Sequence, residues 1–419
     1  MGDHSRYVIL RDKNAALRKR ATGEVLSEAA GGMPRVLAEA AGPQLGGGVG
    51  PLLPPGPELD SADLTANEAK DALRQNDVVG VVRAIPIALI APRDMPADAA
   101  ATDTWGIKVV RADVSPFTGA GVKVAVLDTG IDASHPAFAG MTLTQQDYTG
   151  EGNGDGNGHG THCAGTIFGR DVDGQRIGVA RGVTDAFIGK VLNSRGSGTS
   201  EMMFSALKRA SEERVQVISM SLGFDFPGLV KYLVEQEDYP PDLATSVALE
   251  GFRTNLAMFN ALMNMIRQQA VFDGGTVIVA ASGNESRREI HPNYEVGASV
   301  PAVAEGCIAV GALQQGPAGL TIADFSNTNP DIAAPGVGVL SARAGGGLAA
   351  LSGTSMACPH VAGVAALWWE AARGGVLPAN ASTVTLRMLA SAALSGLAPG
   401  VQVADRGQGL AQAPVAPIS

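Results

Sequence analysis

The stretch VKVAVLDTGID, residues 122–132, sets Val122, Val124, Ala125, Val126 and Leu127 in a near-continuous apolar run and stops it at Asp128-Thr129-Gly130. A strand with one wet face alternates apolar and polar residues, so a run that is apolar at almost every position belongs to a strand covered on both sides. Comparable runs follow at DAFIGKVL (185–192), VQVISMSLG (215–223), TVIVAASGN (276–284) and CIAVGAL (307–313). Helical patterns separate them, HGTHCAGTIFG at 159–169 and SEMMFSALKRASEE at 200–213. That alternation predicts an α/β fold on a doubly wound, mostly parallel sheet. Asp128 then falls at the carboxyl edge of the sheet, where open α/β folds build their sites, although an aspartate closing a strand is by itself an ordinary turn former.

The 419 residues, 45% of them hydrophobic, suffice for one large core and a smaller unit. A formal net charge of -10, with no basic block beyond RDKNAALRKR at 11–20, argues against nucleic acid as a partner. The 3 cysteines, Cys163, Cys307 and Cys358, are odd in number and widely spaced, which fits reduced thiols better than disulfides or a zinc site. The first residues carry no apolar stretch of signal-peptide length, Arg6 breaks the myristoylation pattern, and no run is long enough to span a bilayer. The expected location is cytoplasmic, with no membrane partner.

Residues 1–95 read as a small α+β unit: a strand at YVILR, a Gly/Pro loop over 41–60, a helix capped by Asp63, and an apolar strand that turns at Pro86. Residues 96–103 have linker composition, and 104–419 form the larger unit.

Three further segments carry side chains suited to chemistry. In DGNGHGTHCAGT (155–166), Gly158 and Gly160 flank His159 and leave its ring accessible, so His159 is the candidate for chemistry and His162 for packing or hydrogen bonding. A glycine approach, Gly353-Thr354, delivers Ser355 to the positive end of an apolar helix, with Pro359 expected in its first turn. A plain N-cap serine needs neither of these features. Asn284 ends another strand and offers an amide donor for a developing oxyanion.

Asp128-Thr129-Gly130, His159-Gly160-Thr161-His162, Ser282-Gly283-Asn284 and Gly353-Thr354-Ser355-Met356-Ala357, in that chain order, resemble the subtilisin-like serine proteases (subtilases, peptidase S8) over about residues 104–412. The segment around Cys163 is most similar to the proteinase K branch, and the lack of an export signal is more like intracellular members. The resemblance implies Ser355 as nucleophile, His159 as general base and then acid, Asp128 as the partner fixing the imidazole tautomer, and Asn284 with the Ser355 N–H as oxyanion binder. It also implies that NSRGSGTS (193–200) and SMSLG (219–223) hold an extended peptide, through Gly196, Ser197, Gly198, Ser221, Leu222 and Gly223. No cofactor is needed for the chemistry. Calcium is expected as a structural ion at Asp171 and Asp173, although Ala137 stands where many relatives carry a liganding aspartate.

The small first unit resembles the inhibitory, fold-assisting propeptide of this family. Its carboxyl tail, within 91–103, is expected to lie in the cleft and be cut there, making the chain a self-processing zymogen of an endopeptidase that acts on protein or peptide substrates. The segment between Gly223 and Gly274 is longer than in the simplest relatives; its stripe at 256–266 is expected in the core and its beginning beside the cleft. Two readings compete with proteolysis. One is a regulatory or binding module locked by its first unit without turnover; the other is peptide ligation or ester hydrolysis through the same acyl-enzyme.

Overall fold

A computed structural model describes residues 4–12, 56–93 and 104–416. The expected linker, 96–103, lies outside the described residues. In the first unit, β1 (Ser5–Arg11) is the middle strand of a three-stranded sheet, flanked by β2 (Glu58–Leu64) and β3 (Val78–Arg83), both antiparallel to it. Helix α1 (Ala66–Leu73) lies between β2 and β3 in the chain.

Two expectations need correction here. Residues 58–64 are a strand, not loop and helix start: the polar sequence ELDSADL is held by pairing along the whole of β1, and only the edge position tolerates so little apolar content. The helix cap is Thr65, not Asp63. The Thr65 hydroxyl accepts from the Glu68 N–H at 3.3 Å and the Glu68 carboxylate accepts from the Thr65 N–H at 2.8 Å, a reciprocal capping box. The chain then leaves this sheet, and β4 (Pro86–Leu89) joins strands of the larger unit.

The larger unit contains β5 (Lys123–Asp128), β6 (Thr142–Asp147), α2 (His159–Phe168), β7 (Asp185–Lys190), β8 (Ser197–Thr199), α3 (Ser200–Glu212), β9 (Val217–Met220) and β10 (Leu222–Phe224). After them come α4 (Phe226–Glu235), α5 (Pro241–Asp273), β11 (Val277–Ala281), β12 (Cys307–Gly316), β13 (Gly319–Ile322), β14 (Ile332–Pro335) and α6 (Thr354–Arg373). The central sheet is eight-stranded, in the order β13-β12-β11-β9-β5-β7-β6 with β14 beside β12, and every pairing except β12 with β13 is parallel.

Both faces of this sheet are dry. Along β5, Val124 and Val126 pack into one cluster together with Ile167 of α2 and Val361 of α6, while Ala125 and Leu127 pack into a second with Phe204 of α3 and Phe259 of α5. The near-continuous apolar run follows directly from this double covering. The stripe at 256–266 is core as expected: Met258, Phe259, Leu262, Met263 and Ile266 are all buried.

The chain leaves β5 toward β6 and β7 on one side, and returns after β7 to β9 on the other. The crevice between the carboxyl ends of β5 and β9 is therefore the point where the strand order reverses, which is where sheets of this type open a cleft. Asp128 ends one strand and Ser221-Leu222-Gly223 follow the other.

His162 of α2 and His360 of α6 are both buried. His162 Nε2 lies 3.0 Å from the Val339 carbonyl and 3.1 Å from that of Ala349, and His360 Nδ1 lies 2.8 Å from the Met356 carbonyl. Burial pushes His162 down to about 3 and His360 to about 4, so both rings are neutral in the native chain. Between the ordinary histidine value and these depressed ones, the unfolded chain binds protons that the folded chain refuses, and stability is lost as pH falls. Thermal melting is expected to drop steadily on acidification from neutrality toward pH ~4. The variant His360→Gln should show a shallower acid slope; an unchanged slope would contradict a buried neutral ring at that position.

Candidate active site

Asp128 and His159 come together in a dry contact. Their side chains are 1% and 2% exposed, and His159 Nδ1 sits 2.9 and 3.0 Å from the two carboxylate oxygens. The carboxylate accepts, so Nδ1 carries the proton and the lone pair rests on Nε2, which has no hydrogen-bond partner. The Thr129 N–H also donates to Asp128 Oδ1, at 2.7 Å.

The glycines of the histidine segment do more than expected. Gly158 is the N-cap of α2 with φ 98°, a left-handed geometry that favours glycine. Gly160 faces Gly130: a Cβ on Gly160 would run into the Gly130 carbonyl oxygen. This glycine-to-glycine approach seats the end of β5 against the start of α2, a packing role beyond the expected one of leaving the His159 ring accessible.

Ser355 is the second residue of α6, behind a Gly353 N-cap. Pro359 is not in the first turn but inside the helix. Lacking an N–H, it cannot bond the carbonyl four residues before it, which is that of Ser355. That oxygen instead accepts from Ser221 Oγ at 3.2 Å and Cys163 Sγ at 3.4 Å, tying α6 to the end of β9 and the middle of α2. Cys163 lies 3.7 Å from His159 Nδ1. Burial, and then the charge of Asp128, drive its thiol pKa well up, and Asp128, His159 and Cys163 are the one donor trio within 4.8 Å among the described residues. All three cysteines are free and buried, as reduced thiols would be.

Asn284 is oriented by Thr354, whose N–H and hydroxyl both donate to its Oδ1 at 2.9 Å. This turns Nδ2 toward the cleft, where it donates to the Ala91 carbonyl at 2.9 Å. The cleft is filled by the chain's own segment 86–93. β4 lies between β8 and β10, antiparallel to both, with Ile87 opposite Gly198 and Phe224, and Ala88 opposite Ser197 and Gly223. The Leu89 N–H donates to the Gly196 carbonyl at 2.8 Å, and that of Ile90 to the Ser221 carbonyl at 3.3 Å. Leu222 pairs with Leu89, so all six candidate substrate-binding residues flank this segment. The Ser355 hydroxyl donates to the Ile90 carbonyl at 2.8 Å instead of to His159. Beyond it, the Arg93 N–H reaches the Ser352 carbonyl at 2.7 Å. The segment enters the cleft earlier than the expected 91–103, of which 94–103 lie outside the described residues.

Asp171 and Asp173, the residues where calcium is expected, lie on the surface. Both are exposed, and the Asp171 carboxylate pairs with the Arg181 guanidinium at 3.4 Å, which supplies the positive charge a cation would bring. Asp173 occupies a tight turn at φ 51°.

Asp155, in the same segment as His159, joins the site as well. It accepts from Thr129 Oγ1 at 2.8 Å, Gly158 N at 2.7 Å, Thr161 N at 2.8 Å and Thr161 Oγ1 at 2.6 Å. Burial raises its pKa, but these hydrogen bonds, led by Thr161, outweigh it and hold the carboxyl below its ordinary value. It clamps the residue after Asp128 to the turn that opens α2, so it positions His159. The signal was legible: an aspartate four residues before the histidine, at a helix start, is a capping carboxylate. Asp155→Ala is expected to lower kcat on a peptide about 100-fold, with KM little changed and Asp155→Asn recovering part of it. Steady-state kinetics check this; a wild-type kcat in Asp155→Ala would remove the positioning role.

The subtilase family model of peptidase S8 matches residues 119–410. An intracellular serine protease of Paenibacillus polymyxa is 34% identical over 62% of this chain and 71% of its own length. A cuticle-degrading serine protease of Arthrobotrys oligospora is 36% identical over 71% of this chain and 65% of its own, and subtilisin DY of Bacillus licheniformis is 35% identical over 64% and 85%. The match over 119–410 means that this chain belongs to the subtilase family of serine proteases.

Proposed function

We propose that the chain is an endopeptidase that opens peptide bonds through an acyl-enzyme on Ser355 and is made as a self-processing zymogen. His159 Nε2 takes the Ser355 proton as Oγ attacks the substrate carbonyl carbon, then delivers it to the departing amine; water enters along the same path and the serine is regenerated. Asp128 holds the tautomer and steadies the imidazolium. Asn284 Nδ2 and the Ser355 N–H receive the negative oxygen.

One observation carries this reading. A segment of the chain itself lies as a strand between the two candidate binding strands, with its Ile90 carbonyl oxygen 2.8 Å from Ser355 Oγ. Main-chain pairing of that kind accepts any extended peptide and leaves selectivity to pockets. The register is that of an uncut segment: Ser355 addresses Ile90, while Asn284 addresses the next carbonyl, Ala91. Cleavage at Ala91 would expel Pro92, a tertiary amide nitrogen. Cleavage at Ile90–Ala91 is the simpler course: it keeps the ladder's register and needs only a local turn of the Ile90 carbonyl from Ser355 Oγ toward Asn284 Nδ2.

The first unit is the inhibitor in this reading. It is anchored by Arg6 Nη2 on Glu201 at 2.8 Å and by Asn255 Nδ2 on the Arg83 carbonyl at 2.9 Å, so the tail at 86–93 is presented from a docked body. A location inside the cell is supported by the three free thiols and by the relative named as intracellular. No described helix is long and apolar enough to cross a membrane.

Incubation of purified wild type should yield a shorter chain beginning at Ala91, and Ser355→Ala should keep full length; both are read by intact mass. A peptide library added to the two proteins should be cut only by the wild type. Equal lengths in the two proteins would refute self-processing, and a wild type that cuts no peptide would favour the locked module.

A further inference from the structure

The main-chain ladder around β4 does not stop where the strand does. The Pro86 carbonyl accepts from the Asp225 N–H at 3.1 Å, and Ile85 makes a two-way contact with Ser200: its N–H donates to Ser200 Oγ at 3.1 Å and its carbonyl accepts from the Ser200 N–H at 2.9 Å. At Ala84 the chain has turned back to its own sheet, where the Ala84 N–H donates to the Arg6 carbonyl. Six residues upstream of the peptide bond beside Ser355, from Ile90 back to Ile85, are thus held by the larger unit.

Ile85 is 5% exposed. It points at α5, where a Cβ on Gly251 would stand 3.2 Å from its Cγ2. Next to it lies a cavity of ≈ 240 Å³, walled by Leu229, Tyr232 and Leu233 of α4, Val247 and Gly251 of α5, and Thr199. The walls α4 and the first half of α5 lie in the segment between Gly223 and Gly274, whose beginning is expected beside the cleft. They are held together by their own small cluster, Leu233, Ala244 and Ala248 with Leu229, Val230 and Val247 packed on it, which does not include Ile85. The α4 and α5 side of the pocket is therefore built without the occupant, while Arg83, Ala84 and Pro86 of the segment itself line its other side. Ile85 leaves much of it unfilled, and a void of that size beside an isobutyl-sized group admits a larger side chain.

We propose that α4 and α5 form an apolar subsite for the sixth residue upstream of the cleaved bond, selective for leucine, methionine or phenylalanine over glycine or acidic residues. The segment 85–90 stands in for substrate here, so the proposal rests on the proteolytic reading. Asp225, at the N-cap of α4, spends its carboxylate on the Gly228 N–H at 2.9 Å, and Tyr232 donates to Glu237 at 2.7 Å, so the pocket wall offers a polar ligand little.

The test compares kcat/KM for two peptides that carry the chain's own Pro-Ile-Ala-Leu-Ile before the cut and differ only at the sixth position, leucine or glycine. The processed wild type should prefer leucine by about tenfold. Gly251→Leu, which fills the pocket from a helix position where leucine is a better former than glycine, should bring that ratio close to unity. Leu229→Ala, which keeps the backbone and removes one wall, should lower it. Because each ratio is taken within one protein, losses in folding or in chemistry cancel. Equal rates on the two peptides in the wild type, or an undiminished ratio in both variants, would overturn the subsite while leaving the protease intact. Failure of the wild type to cut either peptide in a Ser355-dependent way would overturn the proteolytic reading and the subsite with it.

Discussion

The buried pair of Asp128 and His159 constrains the rest of the molecule. A carboxylate at 1% exposure and an imidazole at 2% are costly to bury, and each is tolerable because the other satisfies it at 2.9 Å. The pair exists only if the end of β5 and the start of α2 come closer than side chains allow, which is why Gly130 meets Gly160 without a Cβ on the latter. Asp155 closes the same junction from below, through Thr129 on one side and Gly158 and Thr161 on the other. A second charge is thus used to hold the first in place, and the free lone pair on His159 Nε2 follows from that geometry.

The remaining parts reach this junction by means that are equally local. A doubly wound sheet opens a crevice where its connections diverge, and the ends of β5 and β9 border it. Pro359 leaves the Ser355 carbonyl without its helical partner, and Ser221 and Cys163 take it up, so a defect in α6 becomes the contact that registers the serine against both neighbours. Thr354 then aims the amide of Asn284 at the cleft. Thr354 stands next to Ser355, and Pro359 and Cys163 each lie four residues after a candidate catalytic side chain. That closeness explains why the reactive positions sit inside dense motifs.

The same closeness made much of the site legible in the sequence. The apolar run before Asp128, the glycines about His159 and the approach to Ser355 each mark a strand end or a helix start, and those are set by local pattern. Less was legible where tertiary pairing decides. Residues 58–64 look like loop because a polar edge strand takes its order from β1 and not from its own side chains. The cap of α1 went to Asp63 because Asp63 and Thr65 are both good caps, and only the strand's length selects between them. Pro359 reads as a first-turn residue, but the helix already begins at Thr354, which places it in the interior. The path of 86–93 through the cleft was seen in outline from position alone; its register needs the partners Gly196, Ser221 and Ser352.

Active-site titration with a fluorophosphonate tests the central claim most directly, on the chain freed of residues 1–90, with the adduct located by peptide mapping. Convergence of an acid, an imidazole and a hydroxyl predicts one label per chain, on Ser355, and its loss in His159→Ala. Label spread over other serines, or a His159→Ala chain that reacts as fast as the wild type, would contradict it.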